Sequence, residues 1–313
     1  MPRSRNFYLI VLGAMLMVMT DLRPGLAHQV MIVQGSALEA YQRAVSGFNQ
    51  AFSTVSLPGV ASVQAVQVVI LGSSADSNWQ SVTQNYQALQ PNLIVAVGSP
   101  ALEAVKDLGC PIVYLMTPNP EAIVGQRLAI TGIKMPTSPE AQLTAITKAL
   151  PSIKKIGLLH NPATSGDSPG LFQAAAGRLE LTLTEVAAGN DREAILALTK
   201  VAAQLDAMLI TPDQALLTPP MLEALALLSL EKRMPLIAFA PKYLDQGAAL
   251  SIFTSPEQLG RQAAEMARRL LTAPVQGEIK SEYGKEATVQ INDRIIQKLG
   301  IIIAPNPQSE KRP

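Results

Sequence analysis

Cysteine, histidine and aromatic residues are all scarce in this chain, and each scarcity removes a class of function. The single cysteine, Cys110, has no partner for an internal disulfide. It stands in the apolar context LGCPIV, where a free thiol packs as a small hydrophobe. A nucleophile would need a basic neighbour, and none is near in sequence. The two histidines, His28 and His160, are not clustered with Cys, Asp or Glu at ligand spacing, so no metal site and no cofactor are expected. Aromatic residues make up 4%, with one tryptophan, which argues against stacking platforms for sugars or single-stranded nucleic acid. A formal net charge of +1 over 313 residues leaves no basic field for nucleic acid or an anionic membrane. The chain is also read as lacking a Gly-x-Ser-x-Gly nucleophile motif, a phosphate-cradling loop ending in Lys-Ser/Thr and a Gly-x-Gly-x-x-Gly fingerprint.

What is abundant is apolar sequence. Hydrophobic residues make up 48% and charged residues 16%, enough for one large or two ordinary domains. At the N-terminus, Arg3 and Arg5 precede an apolar run of 13 residues, Phe7 to Met19, and Gly25-Leu26-Ala27 offers small residues for a cleavage site. Residues 1–27 therefore read as a secretory signal peptide; the run is short for a span of about 20 residues. No cysteine near the site offers a lipid anchor. Cleavage before His28 removes three arginines and one aspartate and takes the formal charge to −1. The expected compartment is the periplasm.

The mature chain is organised around Asn92 to Val105, NLIVAVGSPALEAV. Leu93 to Gly98 form an unbroken apolar run, the mark of a strand buried on both faces. Ser99 is placed to cap the helix that follows, with Pro100 in its first turn. Backbone N–H groups left free there can receive a carboxylate. Strand signals at 30–34, 66–71, 93–98 and 111–116 alternate with helices, which argues a parallel sheet covered on both faces. Gly132 to Pro136 reads as a connection leading out of this first unit. A second unit of similar size follows, with strands at 153–159, 181–186, 207–210, 235–239 and 248–253. Ser255-Pro256-Glu257-Gln258 resembles a capping box, opening an amphipathic helix to Leu271.

A local rule recurs where strands end: Gly98-Ser99-Pro100, Thr117-Pro118, Asn161-Pro162, Thr211-Pro212-Asp213. In open α/β sheets, ligands settle outside the carboxyl ends of strands. The first-unit candidates are Ser36, Ser73, Ser74, Ser99, Thr117 and Asn119; each alone also serves as an ordinary cap or turn residue. Ser99 is the expected receiver of a ligand carboxylate. In the second unit, Asp213 either pairs with a ligand ammonium or caps the next helix. Asn161, Thr164 and Ser165 bond either the ligand or their own loop, and His160 reads as a pocket wall or a satisfied structural group.

The stretches LIVAVGSPALEAV, CPIVYLMTPNPEAIVG, IKKIGLLHNPATSG, MLITPDQALL and GAALSIFTSPEQLGRQAAEMARRLL together resemble the substrate-binding proteins of ABC transporters, the family that includes tryptophan- and tyrosine-binding members. The similarity runs from about Asn92 to Ile303. It implies an α/β chain of two Rossmann-like lobes with parallel sheets, the type I periplasmic-binding architecture, with three crossings as a hinge near 134, 254 and 280. Lobe 1 is then 28–133 plus about 255–280, and lobe 2 is 134–254 plus about 281–313. By the same resemblance, Ser99 matches the small hydroxyl residue after the third strand. Asp213 matches the second-lobe aspartate, Asn161-Pro162 the Asn-Pro turn, and Gly247 and Gly260 structural glycines. Where the family often has Asp-Pro after the fourth strand, Asn119-Pro120 stands here; His160 stands where an aromatic is usual, and Gly166-Asp167 replace the usual Asn-Ser.

The function expected is a periplasmic solute receptor for an ABC importer, not an enzyme. It is expected to be a monomer that closes on a small zwitterion, an amino acid or similar, and delivers it to an inner-membrane permease. A sensory or partner-binding module using the same cleft is the alternative. An exported α/β enzyme would need more titratable groups in the cleft than Asp213 and His160.

Overall fold

The computed structural model describes residues 28–53, 63–72, 75–125, 127, 129–165, 168–213, 215–272, 279–304 and 309–310; the expected signal peptide lies outside them. The first sheet is built from β1 (His28–Gln34), β2 (Val63–Ile70), β3 (Leu93–Val97), β4 (Ile112–Leu115) and β5 (Ile130–Thr137). Between them run α1 (Glu39–Ser53), α2 (Ala75–Leu89), α3 (Ser99–Val105) and the single turn α4 (Glu121–Val124). After α5 (Pro139–Ala149) come β6 (Lys155–His160), α6 (Ser168–Arg178), β7 (Thr182–Ala187), α7 (Asp191–Val201) and β8 (Ala207–Ile210). They are followed by α8 (Pro219–Lys232), β9 (Leu236–Ala238) and β10 (Leu250–Phe253). The chain ends in α9 (Pro256–Thr272), β11 (Glu282–Gly284), β12 (Thr288–Ile291), α10 (Asp293–Leu299) and β13 (Ser309–Glu310).

The two sheets are wound alike. Their orders are β11-β5-β4-β3-β1-β2 and β13-β12-β10-β9-β8-β6-β7, so the first five strands of each follow the same sequence of neighbours. Pairing is parallel throughout the first sheet. In the second it is parallel except where β12 meets β10. Helices cover both faces, as the α/β, two-lobe reading requires. On β3, Leu93, Val95 and Val97 pack under α1 and α9, while Ile94 and Ala96 pack under α2 and α3. All five are essentially inaccessible, and each large side chain so buried contributes roughly 1.5–3 kcal/mol.

Two local expectations are corrected. Gly132 to Pro136 is not a connection but the body of β5, hydrogen-bonded to β4 with Ile112↔Ile130 and Tyr114↔Gly132 in register. Its mixture of Gly, Lys, Met and Pro hides the strand, yet the glycine is required: a Cβ at Gly132 would lie 2.2 Å from the Tyr114 carbonyl oxygen. Ser99 does not cap α3. Gly98 is the cap, with φ of 91° and ψ of 158°, and no side chain closes the first turn. That backbone region is open to glycine alone, so the serine is pushed one position into the helix.

The chain passes between the sheets after Thr137, at Thr254-Ser255, and between Gly284 and Thr288. A buried hydroxyl chain ties the three passages. Thr254 Oγ1 donates to the Glu286 carbonyl at 2.8 Å, so at 3.0 Å it accepts from Thr137 Oγ1. Ser138 N also donates to Gly284 O at 2.8 Å. Ser255 and Gln258 form the reciprocal capping box, Gln258 N to Ser255 Oγ at 3.3 Å and Ser255 N to Gln258 Oε1 at 2.8 Å. Thr137 and Thr254 stand at the carboxyl ends of β5 and β10. Because β1–β5 run parallel to one another and so do β6–β10, the carboxyl edges of both sheets lie on the side where the lobes meet.

Candidate functional site

In the first lobe the strand ends are held by backbone bonds that leave side chains free. Gly35 N bonds Val97 O at 2.8 Å, Leu71 N bonds Gln34 O at 2.8 Å, and Gly98 N bonds Leu115 O at 2.9 Å. The buried Gln34 amide donates to Ser36 O at 2.6 Å and folds the loop so that Ser36 is half-buried. Neither Ser36 Oγ nor Ser99 Oγ is hydrogen-bonded to a described residue. Asn78 holds Gly72 from both sides, accepting from its N at 2.7 Å and donating to its O at 2.9 Å. The expected Ser73 and Ser74 lie outside the described residues. Leu38 and Trp79 are exposed beside these ends.

Tyr41, near the start of α1, belongs to this edge. Its Oη and Cζ lie 2.6 Å from where a Cβ on Gly98 would sit. The phenol therefore fills the space that the glycine leaves, its hydroxyl unbonded among the described residues, and burial raises its pKa above the usual tyrosine value. At the β4 end, Met116 and Asn119 adopt positive φ of 56° and 48°, conformations that cost energy in non-glycine residues and gather at functional sites. Thr117 is buried with its hydroxyl turned back to Leu115 O at 3.3 Å, and Asn119 is exposed with its side chain unbonded among the described residues.

The second-lobe ends are tied to one another instead. Asp213 Oδ1 accepts from Ala215 N at 2.8 Å and Leu216 N at 3.0 Å, and its Oδ2 accepts from Thr164 Oγ1. The aspartate thus caps a turn rather than α8, which Thr218 caps. Thr211 Oγ1 donates to Leu159 O at 2.9 Å. Asn161 is buried, its Oδ1 accepting from Ala163 N at 3.0 Å, and its carbonyl accepts from Ser165 Oγ at 2.5 Å. His160, at the end of β6, is 4% exposed; its Nδ1 lies 3.0 Å from Ser165 Oγ. Its Nε2 lies 3.3 Å from Glu185 Oε2, within ion-pair reach but off the line of a hydrogen bond, and has no hydrogen-bond partner. At the β9 end the half-buried Phe239 packs against Tyr243, ring centroids 5.0 Å apart. Sequence reading took it as the close of a strand.

Among the described residues, no group of three His, Cys, Asp or Glu side chains converges that could hold a metal ion. Gly166 to Gly170 does fit the Gly-x-Ser-x-Gly spacing. However, Ser168 opens α6 well beyond the end of β6, with its hydroxyl unbonded among the described residues, whereas a nucleophile elbow needs a sharp strand-to-helix turn. The clearest ion pair near the passages is Lys134–Glu121 at 3.0 Å, with Lys134 Nζ 5.3 Å from the Tyr283 ring centroid. Burial pushes the Glu121 carboxyl up, but its hydrogen bonds and the Lys134 charge outweigh that and hold it below the usual range. No helix among the described residues is long and apolar enough to cross a membrane.

A family model described as ABC transporter substrate binding protein matches residues 30–307. No curated protein matches the chain in sequence. Among solved structures, the chain is similar to a ligand-free, open substrate-binding protein with adhesive properties from Clostridium difficile. That pair has 17% identity and a TM-score of 0.65, over 91% of this chain and 99% of that one. It is also similar to an ABC domain in complex with L-Trp from Streptococcus pneumonia, at 17% identity and a TM-score of 0.50, again over 91% and 99%.

Proposed function

Since the chain belongs to the family of ABC transporter substrate-binding proteins, we propose that it is a periplasmic receptor that closes on a small zwitterion, an amino acid or similar, and hands it to an inner-membrane permease. The observation that supports this reading is the hydrogen bond between Thr137 and Thr254 at the ends of β5 and β10, from which we infer that both sets of strand ends face a shared cleft. Their polarity is complementary. The first lobe offers hydroxyls on Ser36, Ser99 and Tyr41 that are unbonded among the described residues, donors suited to a carboxylate. The second offers Asp213, whose Oδ2 is oriented by Thr164 and keeps a lone pair for an ammonium. Asn119, Asn161 and Ser165 frame the two halves, and Leu38, Trp79 and Phe239 are available to a ligand's apolar part. The three passages at 138, 254–255 and 285–287 act as the hinge.

Thermal unfolding with a panel of L-amino acids, their methyl esters and their N-acetyl derivatives tests this. A binder at a hundredfold its Kd adds about 2.7 kcal/mol of stability. The free amino acid is expected to raise the melting temperature, and the blocked forms are not. Ser99→Ala and Asp213→Asn should each weaken binding without unfolding the protein. Stabilisation by an N-acetyl derivative equal to that by the free amino acid defeats the zwitterion assignment. X-ray scattering tests closure: an unchanged envelope on tight binding defeats it.

A further inference from the structure

The protons around His160 can be assigned from the heavy atoms alone. Ser165 Oγ lies 2.5 Å from the Asn161 carbonyl oxygen, which only accepts, so the one hydroxyl proton of Ser165 is committed there. At its other contact, 3.0 Å from His160 Nδ1, Ser165 Oγ can then only accept. His160 Nδ1 must carry the proton. Its Nε2, buried and facing Glu185 Oε2 off-line at 3.3 Å, is left as a bare lone pair in the neutral ring.

We infer that His160 is the positioning residue of the second-lobe loop, held as the Nδ1–H tautomer and setting, through Ser165 and Asn161, where Thr164 meets Asp213. The relay is continuous. His160 donates to Ser165, and Ser165 donates to Asn161 O. That same carbonyl takes the backbone N–H of Thr164 at 3.1 Å and of Ser165 at 2.9 Å, closing the turn from which the Thr164 hydroxyl reaches Asp213. An aromatic ring at position 160 would fill the same buried space but supply no donor to Ser165. That the loop serves a ligand rests on the function proposed above; the tautomer and the tie to Asp213 do not.

Imidazole nitrogen NMR on the full chain tests this directly, because only His28 and His160 contribute and His28→Gln assigns them. At alkaline pH the His160 signals are expected to show Nδ1–H. Among variants, His160→Asn places a side-chain amide near the Nδ1 position and should leave the backbone signals of Thr164, Ala215 and Leu216 in place. His160→Gln, with its amide near Nε2, should shift them, as should Ser165→Ala, which breaks the relay while leaving the ring. An Nε2–H tautomer overturns the inference, and so do equal effects of the Asn and Gln variants or a silent Ser165→Ala. Should any His160 variant fail to fold, the wild-type tautomer and Ser165→Ala decide the matter alone. A chain that binds no zwitterion but passes these tests loses the proposed function and keeps the relay.

Discussion

Replacing Gly260 by alanine should destabilise the protein, against the usual rule for a helix interior. Alanine is favoured over glycine there by about 1 kcal/mol, so an unconstrained site would gain from the change. Gly260, however, lies where α9 crosses α1 with backbones in contact. A Cβ would sit 2.0 Å from Ala44 O and 2.8 Å from Phe48 N, and on the facing helix a Cβ at Gly47 would sit 2.2 Å from Glu257 O. Ordinary contact begins near 3.4 Å, so the helices must part by roughly 1 Å, an overpacking cost of about 1–3 kcal/mol.

Parting also loosens the layer of Leu259, Ala263, Met266 and Ala267 on the first sheet. It strains the Arg43–Glu257 pair and the bond from Arg268 Nη1 to Ala51 O at 2.6 Å. Set against the propensity gain of about 1 kcal/mol, this leaves a net loss of up to about 2 kcal/mol, a fall of up to roughly 4 °C in melting temperature for a chain of this size. Scanning calorimetry on Gly260→Ala, Gly47→Ala and the double variant measures it. The double loss should be smaller than the sum of the singles, since one parting makes room for both. A melting temperature that rises in either single variant refutes the close crossing.

Three further outcomes are expected. Thr254→Val removes two buried hydrogen bonds and orphans the Thr137 hydroxyl, a loss of about 1–3 kcal/mol to be read as a lower urea midpoint at unchanged slope; a loss under about 0.5 kcal/mol sinks the hydroxyl chain. At Glu282, burial pushes the carboxyl up, but Lys285 and Arg269 outweigh it and hold it below its ordinary 4.5. Its stabilisation is therefore present above that value and lost as pH falls through the lower folded-state value, and Glu282→Gln should flatten the acid limb of melting temperature against pH; an identical limb counts against it. Burial pushes the Cys110 thiol up to about 12, so a thiol reagent at pH 8 should label the protein in urea and not when native; rapid native labelling contradicts that.

Those parts of the fold that bury apolar runs on both faces were legible in the sequence. β3 reads as a strand because all five residues are apolar and both faces are covered, and the capping box opening α9 reads from four residues because its bonds are local. β5 did not read, because a strand that leads out of a lobe carries Lys134, Met135 and Pro136 in half-exposed positions and is recognised only by its pairing with β4 and β11. β11, three residues long, has no signal of its own; Gln262 on α9 holds it, accepting from Lys285 N at 3.0 Å and donating to Tyr283 O at 2.9 Å. Both failures sit at the passages between lobes, where long-range bonds replace local pattern.

The strand-end positions of the candidate site are legible in the sequence, but whether their polar groups are bonded is not, and the difference has a physical cause. Spacing places a serine or threonine at a strand end; whether its hydroxyl is available depends on a carbonyl that only the tertiary fold brings near. Ser99 Oγ has no partner among the described residues because Gly98 takes the cap at a φ no serine adopts without strain. Thr164 and Ser165 are committed, to Asp213 and Asn161. The two lobes share one winding and yet present opposite kinds of edge: the first with donors on Ser36, Tyr41 and Ser99 that are unbonded among the described residues, the second with a carboxylate held by three donors. A carboxylate already fixed loses little freedom on pairing with an ammonium, whereas hydroxyl rotors are free to turn to a carboxylate from several directions. In the function we propose, the second lobe selects the ligand's cationic group, and the first follows its anionic end as the lobes close.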